Sequence, residues 1–353
     1  MKREIRKYFV SLLILFTLLF SSCLETHVTN KVNADGSIHR TVTIKSDDKE
    51  DFQFFDYSVP VDSTWSMVMN YELDTLANTE EGTTRYDTIW VVTYTKDFSD
   101  VEELNSSYDR DSGVFQQVNR VVRFQKKFQW FYSRVIFSEE CAPLLNGVAP
   151  KDFFTEEELS VFYLSDPQLE EYVMHSDSIE RKQFVADVEE KSDQWMMTCF
   201  VEDFFGRLVA YTEQNTTQLT KEELLPYRDN FHTILDTEDD LSKIIETIFD
   251  KKPEVLFGDE ITAYLAQLEL EYEQIFNLSG HGYTIDFIMP GTLVETNGVV
   301  MEDEKVRWDV DSERFISERY IMMAESRVIN LWAWFVSAVF IVFVFSGVLF
   351  RKR

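Results

Sequence analysis

The chain has 353 residues, with 34 Lys and Arg against 63 Asp and Glu and a net charge of −29. So acidic a surface is repelled by nucleic acid and by anionic head groups, which excludes a nucleic-acid-binding role and leaves the membrane to be reached through anchors. With 44% hydrophobic and 15% aromatic residues, the chain buries one or two proper cores, which excludes a disordered protein.

The chain opens with basic Lys2, Arg3, Arg6 and Lys7, an apolar run from Tyr8 to Phe20, and then Ser21, Ser22 and Cys23. That order reads as a secretion signal over residues 1–22, with an uncleaved signal anchor as the alternative. The ending is similar to the lipobox of bacterial lipoproteins, with Phe20 where Leu is usual, and the likeness implies lipidation of Cys23. Residues 24–330 then hold 27 Lys and Arg against 62 Asp and Glu, a balance of −35. Cys141 and Cys199 could pair in an oxidising compartment, but two lone buried thiols are the commoner outcome.

Val28 and Val32 alternate with polar residues, as do Ile38, Val42 and Ile44 beyond Ala34-Asp35-Gly36, so a hairpin is expected. A two-residue Asp-Gly loop would put the two apolar faces on opposite sides of the sheet. A three-residue loop centred on Asp35 instead pairs Val32 with Ile38 and Val28 with Val42, with Gly36 left-handed. Trp65 to Leu73 and Ile89 to Thr95 read as further strands, with Glu81-Gly82 in the loop between them. A short helix is expected at Asp100 to Ser106. Val122, Phe124, Phe128, Trp130, Tyr132 and Ile136 share one parity with no Gly or Pro between residues 119 and 138, which predicts one very long strand or a strand bent by a bulge near Lys126-Lys127.

From Pro143 the pattern becomes helical, with capping boxes at Thr155/Glu158 and Thr220/Glu223. A long helix is expected over Ser178 to Glu213, with Met197, Val201, Phe204, Leu208 and Tyr211 on one stripe. Helices over about 238–250 and 254–276 follow, the second carrying Ile261, Leu265, Leu268, Tyr272 and Ile275 or Phe276 on its apolar face. Beyond Gly280-His281-Gly282, strands return at Tyr283 to Met289 and Val306 to Val310, with turns at Pro290-Gly291 and Asn297-Gly298. A last strand is expected near Arg314 to Glu325. Leu331 to Phe350 is an apolar stretch about 30 Å long as a helix, flanked by Trp332, Trp334 and the basic Arg351, Lys352 and Arg353, which predicts a transmembrane helix with its basic end in the cytoplasm.

Strands at both ends with helices between predict an α+β fold in which one mixed or antiparallel sheet is built from both ends of the exported chain. The expected parts are residues 24–142 and 281–327 for the β-rich domain, 143–280 for an inserted helical bundle, 328–350 for the transmembrane helix and 351–353 for a cytoplasmic tail. The main domain is then expected in the periplasm, held at the inner membrane by the lipid on Cys23 and the C-terminal helix. The lipobox, the hairpin at Asn33 to Ser37, the Lys96-Asp97-Phe98 segment with its helix, Met289-Pro290-Gly291 to Asn297-Gly298, Val306-Arg307-Trp308 and the terminal apolar stretch together resemble the LppM-type family of membrane-anchored lipoproteins. The likeness covers the β segments and both anchors, and the helical insertion departs from it. It implies an envelope lipoprotein without known catalysis, in contact with lipid.

Signatures of metal, nucleophile and phosphate chemistry are absent from the sequence, and no cofactor is expected. Asp109 to Gly113 is an acidic loop whose Gly falls one place early for a calcium site. Asp309 and Asp311 share a strand face and read as solvated, and His281 reads as a turn residue. Trp195, Met196, Phe200, Phe204 and Phe205 crowd one helix. They fit core packing, or an apolar groove for a lipid or another membrane protein's helix. The resulting expectation is a non-enzymatic interaction or scaffold module of the envelope, whose partner is another envelope protein or lipid. A lipid- or apolar-ligand-binding module and a hydrolase using acidic residues are the alternatives.

Overall fold

The computed structural model describes residues 25–49, 52, 60–77, 84–108, 118–164, 168–169, 172–173, 179–235, 240–278 and 282–351. The signal and Cys23, Asp109 to Gly113, Glu81-Gly82, His281, Lys352 and Arg353 lie outside them.

Strands β1 (Glu25–Val32) and β2 (Ile38–Ser46) form the expected hairpin, pairing Val32 with Ile38 and Val28 with Val42. Its loop closes with the Asn33 amide on the Ser37 carbonyl at 2.9 Å, and Gly36 sits at φ 99, as the register argument requires. β3 (Ser66–Ala77) and β4 (Thr84–Phe98) follow, then α1 (Val101–Tyr108). The stretch after it is neither one long strand nor a bulged one. β5 (Arg120–Phe128) and β6 (Tyr132–Cys141) are antiparallel, and the chain reverses at Gln129, Trp130 and Phe131, where the Gln129 amide donates to the Tyr132 carbonyl at 2.8 Å. The turn is built from large side chains, so no Gly or Pro marks it.

The helical part comprises α2 (Pro150–Phe153), α3 (Glu156–Phe162), the long α4 (Ile179–Gln214), α5 (Lys221–Leu224), α6 (Arg228–Leu235), α7 (Leu241–Phe249), α8 (Pro253–Phe257) and α9 (Ile261–Leu278). Both expected capping boxes are present, at Thr155 with Glu158 and at Thr220 with Glu223. The stripe on α4 buries Val201, Phe204, Leu208 and Tyr211, and α9 buries Ile261, Leu265, Leu268, Tyr272 and Ile275 against it. Gly258, at φ 93, stops α8 and separates it from α9, where the sequence pattern predicted one helix.

β7 (Tyr283–Ile288), β8 (Thr292–Thr296), β9 (Val299–Val300), β10 (Val306–Val310) and β11 (Tyr320–Ile329) complete the strands, and α10 (Leu331–Arg351) ends the described chain. Two sheets form where one was expected. The larger runs β3-β4-β2-β1-β7-β10-β9 and the smaller β5-β6-β11-β8, so each draws strands from both ends of the chain. β1 and β7 are parallel, with Thr26 beside Tyr283. The inner faces meet in a core that includes Val28, Val42, Phe137, Phe287, Trp308 and Met322, with Phe137 edge-on to Phe287 at 4.8 Å. α1 closes the free edge of β5, where the Asn105 amide nitrogen donates to the Val122 carbonyl and its oxygen accepts from the Val122 amide.

The fold is thus mixed α+β with two sheets and helices, and the expectation of a C-terminal transmembrane helix is not upheld. Among the described residues no helix is long and apolar enough to cross a membrane.

Candidate functional site

The five side chains singled out on the long helix are part of the helical core. Trp195, Phe200, Phe204 and Phe205 are buried and Met196 packs partly against them. Phe200 stacks on Phe276 at 4.1 Å, Phe204 and Phe205 both meet Phe231, and Trp195 donates from its ring nitrogen to the Val148 carbonyl at 2.8 Å. Cys199 sits beside them, its thiol pushed up to about 11 by burial, and Cys141 is buried in the sheet core. Neither of the two forms a disulfide. Asp309 is half-buried, and burial raises the Asp311 carboxyl. Among the described residues no cluster of His, Cys, Asp and Glu has the composition to hold a metal ion.

Trp332 and Trp334 are exposed, and the structure brings them to a place that the sequence did not indicate. The tip of the β5–β6 hairpin meets the first turn of α10. Phe128 stacks on Trp332 with ring centroids 5.9 Å apart, Trp130 meets Trp332 edge-on at 5.4 Å, and Phe131 lies 4.5 Å from Trp334. These five rings form a collar whose members are all exposed, although each large ring would gain by burial. Polar bonds at the tip fix the collar. The Trp130 ring nitrogen donates to Ser337 Oγ at 2.9 Å, Asn330 Nδ2 donates to the Gln129 carbonyl at 2.7 Å, and the Asn330 amide donates to the Phe131 carbonyl at 3.0 Å. Ser133 Oγ donates in turn to Asn330 Oδ1 at 3.1 Å.

Beside the collar lies an open cleft of about 550 Å³, lined by Phe131, Tyr132, Thr292, Arg327, Ile329, Leu331 and Trp334. Arg327 is its one charged side chain, with the guanidinium carbon 5.1 Å from the centre of the Tyr132 ring. Beyond the collar, the seven consecutive residues Val339 to Phe345 are all exposed. At about 100° per residue they cover the full circumference of α10, so the helix is apolar on every side and lacks the polar face of a soluble one. The side chain of Arg351 at its end is not among those described.

No family model matches the chain, and no curated protein matches it. Among solved structures it is similar to the folded domain of the Mycobacterium tuberculosis LppM protein, determined by NMR. The identity is 9%, the match covers 88% of this chain and 92% of that one, and the TM-score is 0.28. The neighbour bears the name of the family that the sequence motifs resemble, but at that score the likeness is weak and carries no argument about fold or function.

Phe128, Trp130 and Phe131 were missed as site residues by reasoning from the sequence. The available signal was three large aromatics within four positions of a stretch with no apolar partner of its own, read as strand alternation when it is a turn.

Proposed function

We propose that the protein is a non-enzymatic module of the bacterial envelope that makes contact with lipid through the aromatic collar and α10. The observation that carries this reading is the exposed apolar circumference of α10, joined to a rigid ring of tryptophan and phenylalanine. A protein groove receives one face of a helix and leaves the other in water. An apolar surface on all sides is satisfied by hydrocarbon, and indole rings with a polar edge suit the level of the head groups. The proposal is contact with lipid, and it includes no crossing of the membrane. The signal-like start and Cys23, although outside the described residues, support an envelope location on sequence grounds. Between the lipid and scaffold readings, the collar favours lipid, since nothing in its geometry selects a protein partner.

The test is flotation of the full chain with phosphatidylcholine vesicles. The wild-type chain is expected to float with the vesicles. Trp130→Ser with Trp332→Ser should weaken binding by roughly tenfold or more, as the loss of two large apolar contacts implies. A wild-type chain that stays at the bottom of the gradient, or a double variant that binds as well as wild type, would sink the proposal.

A further inference from the structure

The acidic balance of the chain argues against attraction to anionic lipid, yet its charges are unevenly placed. Residues 118–137 and 326–353 contain no Asp or Glu, although the whole chain has 63. These stretches supply most of β5 and β6, the end of β11, the collar and α10. These stretches therefore bring no carboxylate of their own to the collar.

What they bring instead is an ordered row of cations. Lys127 on β5 pairs across the strands with Arg134 on β6, and Arg134 pairs with Arg327 on β11. Alternation puts all three side chains on the outer face of the smaller sheet, opposite the core residues Val135 and Phe137, and neighbouring strands are ~4.8 Å apart. The next outward-facing pair toward the collar is Tyr132 with Ile329, and both line the cleft together with Arg327. The carboxylates of this face lie on the other side of the row. Glu325 accepts both arms of the Arg134 guanidinium, at 2.6 and 2.5 Å, and Glu295 is its cross-strand neighbour on β8. Lys127 and Arg327 are exposed and make no direct ion pair among the described residues, although Glu325 attracts both from beside the row.

We infer that this end of the molecule selects anionic phospholipid, with Arg327 and Lys127 facing the lipid phosphate and the apolar lining of the cleft beside Phe131, Leu331 and Trp334 taking the first part of an acyl chain. The inference rests on the lipid-contact reading above and adds a head-group preference to it. Charge and geometry support it together. Two exposed cations without a direct ion pair stand in one row, and Arg327 shares its cleft with the exposed Trp334, which is the vertical order of phosphate above hydrocarbon in a leaflet. Arg134, held by Glu325, keeps the row straight and is a positioning residue. The long-range repulsion of the acidic body is screened beyond about 10 Å at 0.1 M salt, so a local row at the contact can outweigh it.

The experiment compares flotation of the full chain with vesicles of phosphatidylcholine alone and of an equal mixture of phosphatidylcholine and phosphatidylglycerol, at low and high salt. Wild type should prefer the mixed vesicles by roughly tenfold or more at low salt, at about fivefold per engaged cation, with the preference shrinking as salt rises. Arg327→Gln with Lys127→Gln should abolish the preference and leave binding to phosphatidylcholine intact. Lys127→Gln alone, at an exposed side chain without a direct ion pair, should remove about half of it on a logarithmic scale and guards against misfolding of the double variant. Equal binding of wild type to both vesicles, or a preference that survives in the double variant, overturns the inference while leaving lipid contact standing. Failure to bind either vesicle defeats the lipid-contact reading itself. Loss of the preference on adding millimolar inorganic phosphate or glycerol phosphate at constant ionic strength would assign the cations to a soluble phosphate compound and overturn the lipid assignment.

Discussion

At the scale of single residues, the most consequential side chains are polar groups buried between the two sheets. Arg40 and Glu139 are each 1% exposed and joined at 2.7 Å, one from each sheet. Arg40 also donates to Asn30 Oδ1 at 2.7 Å and to the Tyr108 hydroxyl, which donates to the second oxygen of Glu139 at 2.5 Å. Burial pushes the Tyr108 hydroxyl well above its ordinary range, so it remains a donor. A pair like this costs desolvation of both ions and returns it as attraction, so its net worth is small, while breaking it strands a charge. Glu139→Leu is therefore expected to cost about 3–5 kcal/mol in urea unfolding, because Arg40 stays charged in the core. The double variant Arg40→Met, Glu139→Leu should recover a large part of that loss. A double variant as unstable as the single one would show that the hydrogen bonds to Asn30 and Tyr108, and not the stranded charge, set the cost.

At the scale of elements, the sequence was informative wherever the relevant contacts are local. The register of the β1–β2 hairpin follows from the parity of Val28, Val32, Ile38 and Val42, and both capping boxes are written within four residues. The joint between the β5–β6 tip and α10 depends on residues about two hundred positions apart, as in the bond from Trp130 to Ser337, and no periodicity reports such a meeting. Asn330 is the clearest case. In sequence it is one polar residue before an apolar run, whereas in the structure it joins the hairpin turn to the helix by bonds to Gln129, Phe131 and Ser133. Asn330→Ala is expected to loosen the joint locally by about 1–2 kcal/mol, raising hydrogen exchange of the Asn330-position and Gln129 amides while the thermal midpoint changes little. Unchanged exchange at both amides would mean that the ring contacts alone fix the collar. The division into two sheets was illegible for the same reason, since the parallel pairing of β1 with β7 joins residues more than 250 positions apart and alternation identifies a strand without naming its neighbour.

At the scale of the whole molecule, the sheet and helical cores are stitched together along a seam. The Leu144 and Leu145 amides donate to the Phe315 and Ile316 carbonyls at 3.0 and 2.7 Å, and Ser317 Oγ donates to the Val148 carbonyl at 2.8 Å. At the same seam Glu313 accepts from Ser192 Oγ on α4, with Asp311, Asp193 and Arg314 close by. Burial raises the Asp311 and Glu313 carboxyls, and for Glu313 the Asp311 charge adds to it. Groups raised on folding favour the folded state when protonated, and that contribution disappears as pH rises through their folded values. The outer face of the larger sheet behaves oppositely. Asp286 is buried, which by itself would raise its pKa, but His27 at 3.1 Å and both arms of Arg307 at 2.8 and 3.0 Å hold it down at about 2. Its contribution is complete above the usual carboxylate value and is lost as pH falls toward 2, on the order of 2 kcal/mol at about 1.4 kcal/mol per unit. The two effects together place the maximum of stability on the acid side of neutrality. In thermal melts, the midpoint is expected to rise as pH is lowered from neutrality toward the ordinary carboxylate range and to fall again as pH drops toward 2. Asp311→Asn with Glu313→Gln should flatten the upper limb and raise the midpoint at neutral pH, and Asp286→Asn should shrink the drop on the acid side. A wild-type midpoint that does not rise as pH is lowered from neutrality, or an upper limb unchanged in the double variant, would show that the seam carboxylates do not couple protonation to the joining of the two cores.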